Sequence, residues 1–319
     1  LQAYAGIAFN SVLTDRDQIK LNLFTTPADL DEYTRVSAIY RYTFLEGDTL
    51  LLGASASQAR DGYNPASSEI GGESLGVWLK YERPLFLSRK SRLYASAEFD
   101  AKHKENEWTS GGGYRDELRV ARVALRGLQS DDGVKTYIFV EVSSGLDILG
   151  ASGPSVEARS RYNADATFTK VYARASHYRD IGKYFGLYGW VAGQAADGPL
   201  LSSEEFSVGG PLVGRGYGYG EISGDHGIAG LVELRAGFAP DHDLINFAQA
   251  YLSYDAAMVW NDTPYGQRTA DLESAAIGLR LNVLDRLSAG LEFAKPLTLT
   301  PYDEDDKDWR QYFQVSVTY

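Results

Sequence analysis

The sequence predicts an all-β protein, a transmembrane antiparallel β-barrel, on three observations. Apolar residues recur with a period of two along most of the chain. The alternating segments run to ten or so residues, close to the roughly 9–11 that a membrane strand needs and longer than the five or six of an average soluble strand. The connections between them alternate between tight and long, the asymmetry of short periplasmic turns and long external loops.

The alternation is plainest in five places. Val36, Ala38, Tyr40, Tyr42 and Phe44 line one face, with Arg35, Ser37, Arg41 and Thr43 on the other. Leu75, Val77, Leu79 and Tyr81 oppose Gly76, Trp78, Lys80 and Glu82. Leu93, Ala95, Ala97, Phe99 and Ala101 oppose Tyr94, Ser96, Glu98, Asp100 and Lys102. Ala248, Ala250, Leu252, Tyr254, Ala256, Met258 and Trp260 oppose Gln249, Ser253 and Asp255; Ile277, Leu279, Leu281 and Val283 oppose Gly278, Arg280 and Asn282. Side chains that alternate in this way lie on the two faces of a strand. Strands are expected at 1–10, 17–26, 33–46, 48–61, 72–85, 91–106, 115–128, 133–147, 164–179, 182–196, 227–239, 244–261, 272–285, 287–299 and 309–319. The segment 115–128 is the least regular, because Arg119, Arg122 and Arg126 fall on both faces.

Tight links stand at 46–48, 88–91, 180–182, 239–243 and 285–286, and long polar ones at 63–72, 107–115, 149–163, 197–226, 262–271 and 302–308. At the C-terminus Phe313, Val315, Val317 and Tyr319 alternate with polar residues and the chain stops on an aromatic, resembling the signal by which outer-membrane barrels are recognised for insertion. If the last strand descends to the periplasm, the fifteen expected strands put Leu1 outside. Bacterial single-chain barrels have an even strand number, so one strand is expected ahead of Leu1; a further strand within 1–35 would restore parity too.

Composition narrows the classes. A formal net charge of -12 argues against a nucleic-acid partner, which needs a basic face. The absence of cysteine removes disulfides, zinc–thiolate sites and thiol nucleophiles. No apolar run approaches a membrane helix. A mean hydropathy of -0.28 is compatible with a barrel, whose lumen and loops are polar.

The densest motif is Phe206 to Arg235, FSVGGPLVGRGYGYGEISGDHGIAGLVELR, in which eight glycines from Gly209 to Gly227 surround one arginine, Arg215, before the strand near Ile228. A lone guanidinium in a lumen needs a carboxylate, which its fork binds in bidentate fashion. Glycines let the loop press against a wall and adopt positive φ. The pattern GG-x(4)-RGY-x(3)-E-x-SGD-x-G-x(5)-EL is carried by Gly209, Gly210, Arg215, Gly216, Tyr217, Glu221, Ser223, Gly224, Asp225, Gly227, Glu233 and Leu234. It resembles the TpsB family, the outer-membrane translocators of two-partner secretion, also called haemolysin secretion/activation proteins, within the superfamily of the barrel assembly protein BamA. The stretches Tyr81 to Arg89, Ser144 to Leu146, Leu149 to Ser152 and Leu200 to Phe206 are similar to that family too.

The resemblance implies a sixteen-stranded barrel over 1–319, about fifteen strands of it in this chain, with the loop 197–226 folded into the lumen. The family also carries two periplasmic POTRA modules and a plug helix ahead of the barrel, which this sequence does not contain. The resemblance further implies that Arg215 pairs with an aspartate, here Asp255, in a motif of aromatic, any residue, Asp, any residue, Gly. This chain has Ser253 and Ala257 at the aromatic and glycine positions. The function implied is export of an unfolded, secreted TpsA-like partner protein to the cell surface, without cofactor or catalysis. Outer-membrane lipid and, during biogenesis, the barrel assembly machinery are the other expected partners of a monomer in a Gram-negative outer membrane. Three alternatives stand beside it: a BamA- or TamA-type assembly factor, the translocator of a fused patatin-like lipase, and a passive porin.

Other features have plainer readings. The glycine loop lacks the Lys-Ser/Thr and the following helix of a phosphate cradle. Asp303 to Asp308 lacks the glycine and spacing of a calcium loop. His103, His177, His226 and His242 have no metal spacing and no G-x-S-x-G beside them. Lumen carboxylates such as Glu98, Asp100, Glu141 and Glu233 read as charge networks, and Trp78, Trp190, Trp260 and Trp309 as interfacial aromatics.

Overall fold

The computed structural model describes residues 2–318 apart from 28, 29, 31, 61–68, 109, 110, 154–157, 241–243, 264, 265, 285, 303 and 305, and only the backbone of 69 and 70. The strands are β1 (Ala3–Asn10), β2 (Asp17–Thr25), β3 (Tyr33–Thr43), β4 (Thr49–Arg60), β5 (Glu69–Leu87), β6 (Ser91–Trp108), β7 (Gly113–Asp131), β8 (Val134–Gly145), β9 (Thr169–Asp180), β10 (Phe185–Ala196), β11 (Phe206–Val208), β12 (Ile222–Gly224), β13 (His226–Phe238), β14 (Ile245–Thr263), β15 (Gly266–Val283), β16 (Leu287–Pro296) and β17 (Arg310–Val317). Fifteen of them form one sheet, each antiparallel to its neighbour, with β10 pairing directly to β13. β11 and β12 make a separate hairpin within the intervening loop.

Burial is inverted relative to a water-soluble protein. Leu252 is 56% exposed and Ile277 49%, whereas Glu233 and Asp255 are 0% exposed. Apolar side chains left outside and charges taken inside define a sheet with a lipid-facing exterior, since lipid satisfies the first and a polar lumen the second. Antiparallel pairing satisfies the backbone internally, which a bilayer demands.

Each expected strand has a counterpart, with two differences of interest. The strand expected from 164 begins at Thr169. Ala164, Ala166 and Phe168 instead pack with Leu118, Val120, Leu200 and Leu201 in a buried cluster between two long loops and the wall. In β7 the irregular arginines divide: Arg122 and Arg126 take the lumen face, where they meet Glu204 and Glu82. Arg119 lies on the other face and donates to the carbonyls of Lys102, Leu118 and Leu149. The sequence pattern also gave no sign of the β11–β12 hairpin, whose three-residue strands are too short to show a period.

Among the described residues β1 pairs only with β2 and β17 only with β16. Phe313, Val315 and Val317 lie in β17 at 74%, 49% and 48% exposure; Tyr319 lies outside the described residues. So do His242, Asp303 and Asp305.

Candidate functional site

The loop between β10 and β13 folds back against the wall of β10 and β13–β16. Phe206, Val208, Val213, Tyr217 and Ile222 pack on Ala192, Ala229, Leu231, Ala257, Val259 and Leu272. These wall residues share the parity of the lumen-facing charges, so the loop occupies the lumen. Burial of aromatic and branched side chains here stabilises docking by about 1.5–3 kcal/mol per side chain.

The turn around Arg215 shows why the motif is glycine-rich. Gly209, Gly210 and Gly214 have φ of 124°, 104° and 79°, a region that side chains with a Cβ rarely enter. Gly216 lies so close to the wall that a Cβ would stand 2.4 Å from the backbone nitrogen of Pro296. Tyr217 is fully buried, and its hydroxyl donates to the carbonyl of Glu273 at 3.0 Å and accepts from the amides of Thr298 and Leu299. Glu221 accepts from the amide of Tyr302 at 2.6 Å, tying the loop to the β16–β17 connection.

Arg215 does not pair with Asp255. Its guanidinium donates to Glu233 at 2.6 Å, Glu292 at 3.0 Å and the Ser253 hydroxyl at 3.1 Å. Tyr251 donates to the same Glu292 oxygen, and its ring lies 5.8 Å from Arg215 and 3.9 Å from Arg280. Arg235 and Arg280 also reach Glu233. Asp255 instead accepts the Gly214 amide at 2.6 Å and the Ser274 hydroxyl at 2.7 Å.

Register explains the exchange. Glu233 faces Ser253 directly across β13–β14, whereas Asp255 faces Leu231, one pleat nearer the β10–β13 loop. Asp255 therefore meets the loop backbone at Gly214, and the arginine side chain extends past it to the next pleat. The small Ser253, at the position where the resemblance implied an aromatic, leaves room for the guanidinium and gives it an acceptor. Asp255 still anchors the loop, through an amide rather than an ion pair.

Two further clusters hold the ends of the loop. Glu204 is 2% exposed and meets Arg122 and Lys170, each at 2.8 Å, with Lys102 at 3.9 Å. Burial alone would raise its pKa; Lys170 and Arg122 override that and hold it at about 2. Asp225, fully buried, receives the guanidinium fork of Arg161 and the amides of Leu200 and Asp262. Gly224 and Gly227 flank it, the first against Val259 and the second beneath the ring of Phe206. Arg161 belongs to the connection between β8 and β9, so it joins two long loops.

Sequence reasoning missed Arg161 and Glu292. Nothing marks Arg161 in its loop. Glu292 had a signal, since it shares the lumen parity of Gly290 and Ala294 in β16, but one carboxylate among several names no partner.

The rest of the lumen is open. A cavity of about 1250 Å³ runs along the lumen faces of β1–β6 and is bordered on the loop side by Tyr219. Asn22 and Ser37 of its lining belong to a row of small residues joined by register: Gly6 opposite Asn22, Asn22 opposite Ser37, Ser37 opposite Ser55 and Ser55 opposite Gly76.

An antiparallel sheet with a lipid-facing exterior and a loop docked in its lumen defines a membrane β-barrel. The chain belongs to the family of the haemolysin secretion/activation proteins ShlB/FhaC/HecB, whose model matches residues 1–281. CdiB from Escherichia coli is similar in fold, with a TM-score of 0.81 at 18% identity over 99% of this chain and 59% of that one. CdiB from Acinetobacter baumannii gives 0.74 at 19% identity, over 100% of this chain and 56% of that one. BamA from Haemophilus ducreyi lacking POTRA domains 1–3 gives 0.69 at 14% identity, over 99% and 67%. The chain thus spans less than two thirds of the CdiB chains it resembles. No curated protein matches the sequence. Family and fold together make this a β-barrel of the bacterial outer membrane in a family of transporters.

Proposed function

We propose that this barrel exports an unfolded partner protein to the cell surface by two-partner secretion, as a monomer and without catalysing a reaction. The observation that carries the reading is the loop held at Arg215 beside an open polar passage of about 1250 Å³. A porin needs a fixed constriction; this lumen has a large element seated on ionic contacts that can be exchanged. Export draws on folding of the partner outside. The loop residues Gly209, Gly210, Arg215, Gly216, Tyr217, Glu221, Gly224, Asp225 and Gly227 act as one gating or bracing element, and β17 carries the insertion signal.

The test is surface appearance of a co-expressed partner. Arg215→Ala should abolish export while heat-modifiable barrel remains in the outer membrane. Export at the parental rate would remove the loop from the mechanism. Assembly of other barrels is the second reading, favoured by the likeness of the fold to BamA from Haemophilus ducreyi. Rescue of cells depleted of their own assembly factor would establish it instead.

A further inference from the structure

The two walls of the lumen differ in how their cations are matched. On the loop side the cations that hold the loop meet carboxylates: Arg122 and Lys170 with Glu204, Arg161 with Asp225, Arg215 with Glu233 and Glu292. On the open side Lys20 and Arg35 are exposed to the cavity, and neither has a carboxylate partner among the described residues. Lys104, on the same cavity, has the Ser202 hydroxyl at 3.4 Å and the ring of Tyr114 at 5.5 Å, with Glu205 near enough to feel its charge. Among the described residues the cavity lining carries Lys20, Arg35 and Lys104 with Glu32 and Glu73. Arg35 and Lys104 lie toward the loop end, one register row from Glu73, and Lys20 stands deeper, opposite Ile39.

We propose that the open wall of the lumen is a binding surface for acidic, extended polypeptide, with Lys20, Arg35 and Lys104 as its charged contacts. The inference rests on the export reading and names the substrate class that the passage favours. Charges inside a narrow, low-dielectric tube act over a longer range than on an open surface, and raise the local concentration of the opposite sign. The neighbouring small residues Asn22, Ser37 and Ser55 leave width for an extended chain and offer it hydrogen bonds in place of water.

The experiment uses the full chain in planar bilayers under asymmetric KCl, with peptide binding to the same protein in detergent. The parent should prefer anions by the sign of its reversal potential, and Lys20→Glu combined with Arg35→Glu should turn that preference toward cations. A fluorescein-labelled glutamate-rich peptide should bind better than its lysine-rich counterpart, and the double variant should weaken it by about tenfold. Heat-modifiable mobility verifies that the variant is folded. Cation preference in the parent, a reversal potential unmoved by the double variant, or equal binding of the two peptides overturns the proposal. If selectivity is absent but export persists, this inference alone fails; if selectivity stands and nothing is exported, the export reading alone fails.

Discussion

The β7–β16 wall and the β1–β6 wall share one sheet and one alternation, yet are built for opposite purposes. The first is covered by loop: its charges are buried, paired and shared among several partners, as Glu233 is among Arg215, Arg235 and Arg280. The second is bare, with small polar side chains and, in Lys20 and Arg35, cations that meet no carboxylate among the described residues. The lesson is that lumen polarity alone does not describe a barrel. Matched charge fixes an element in place, whereas unmatched charge is left for whatever passes. Mutations on the two walls should therefore differ in size even where the chemistry removed is the same.

The largest effect is expected at Arg215. Truncation to alanine leaves Glu292 buried with Tyr251 as its remaining donor, and removes one of three cations from Glu233. Breaking a buried pair costs about 3–5 kcal/mol. Limited proteolysis at the loop should change from resistant to rapid, with the barrel itself intact. Arg35→Ala, on the bare wall, should leave the loop as resistant as in the parent. Equal sensitivity in both variants would break the distinction between the walls.

Next comes a pair of glycines. At Gly216 an added Cβ meets the backbone of Pro296, which cannot withdraw. Gly216→Ala should destabilise loop docking by about 1–3 kcal/mol, the cost of overpacking. At Gly53 an added Cβ would lie 2.2 Å from the indole of Trp78, whose side chain can turn away into the open lumen. Gly53→Ala should therefore cost less, measured by urea unfolding in lipid vesicles.

How these walls were legible in the sequence differs too. Period two is a local property, so the fifteen strands of the large sheet could be read from alternation with ends displaced by a few residues. The loop's involvement was legible from its glycines because Gly214 and Gly216 are demanded by φ and by contact. Its partner was not. Asp255 and Glu233 both face the lumen, on adjacent strands, and only register decides which of them meets a side chain and which a backbone amide. Ser253 looked like a departure from a pattern; in three dimensions it is the space and acceptor that Arg215 uses. Arg161 gave no signal, because a pairing between two long loops leaves no periodicity.

A smaller effect follows from acid. Glu204 is held at about 2 against an ordinary value of 4.5. Its folded pKa is depressed, so its contribution to loop docking is complete above 4.5 and is lost as pH falls from there through about 2. Protease resistance of the loop should decline across that window, and Glu204→Gln should remove the pH dependence attached to this site. A decline of the same size in the glutamine variant would assign it to other carboxylates.

The last comparison, which includes the smallest effect, separates two serines that a sequence cannot tell apart. Ser274 is fully buried and donates to Asp255, the residue that also takes the Gly214 amide. A hydrogen bond to a charged acceptor contributes about 1.5–3 kcal/mol, and Ser274→Ala should lose a stability of that order. Ser55 sits mid-row in the bare wall, opposite Ser37 and Gly76, with open lumen before it. Ser55→Ala should change stability by less than about 0.5 kcal/mol, as at a site with no buried partner. Water replaces whatever its hydroxyl offered, which is why a wall meant to be passed over tolerates the loss and a wall meant to grip does not.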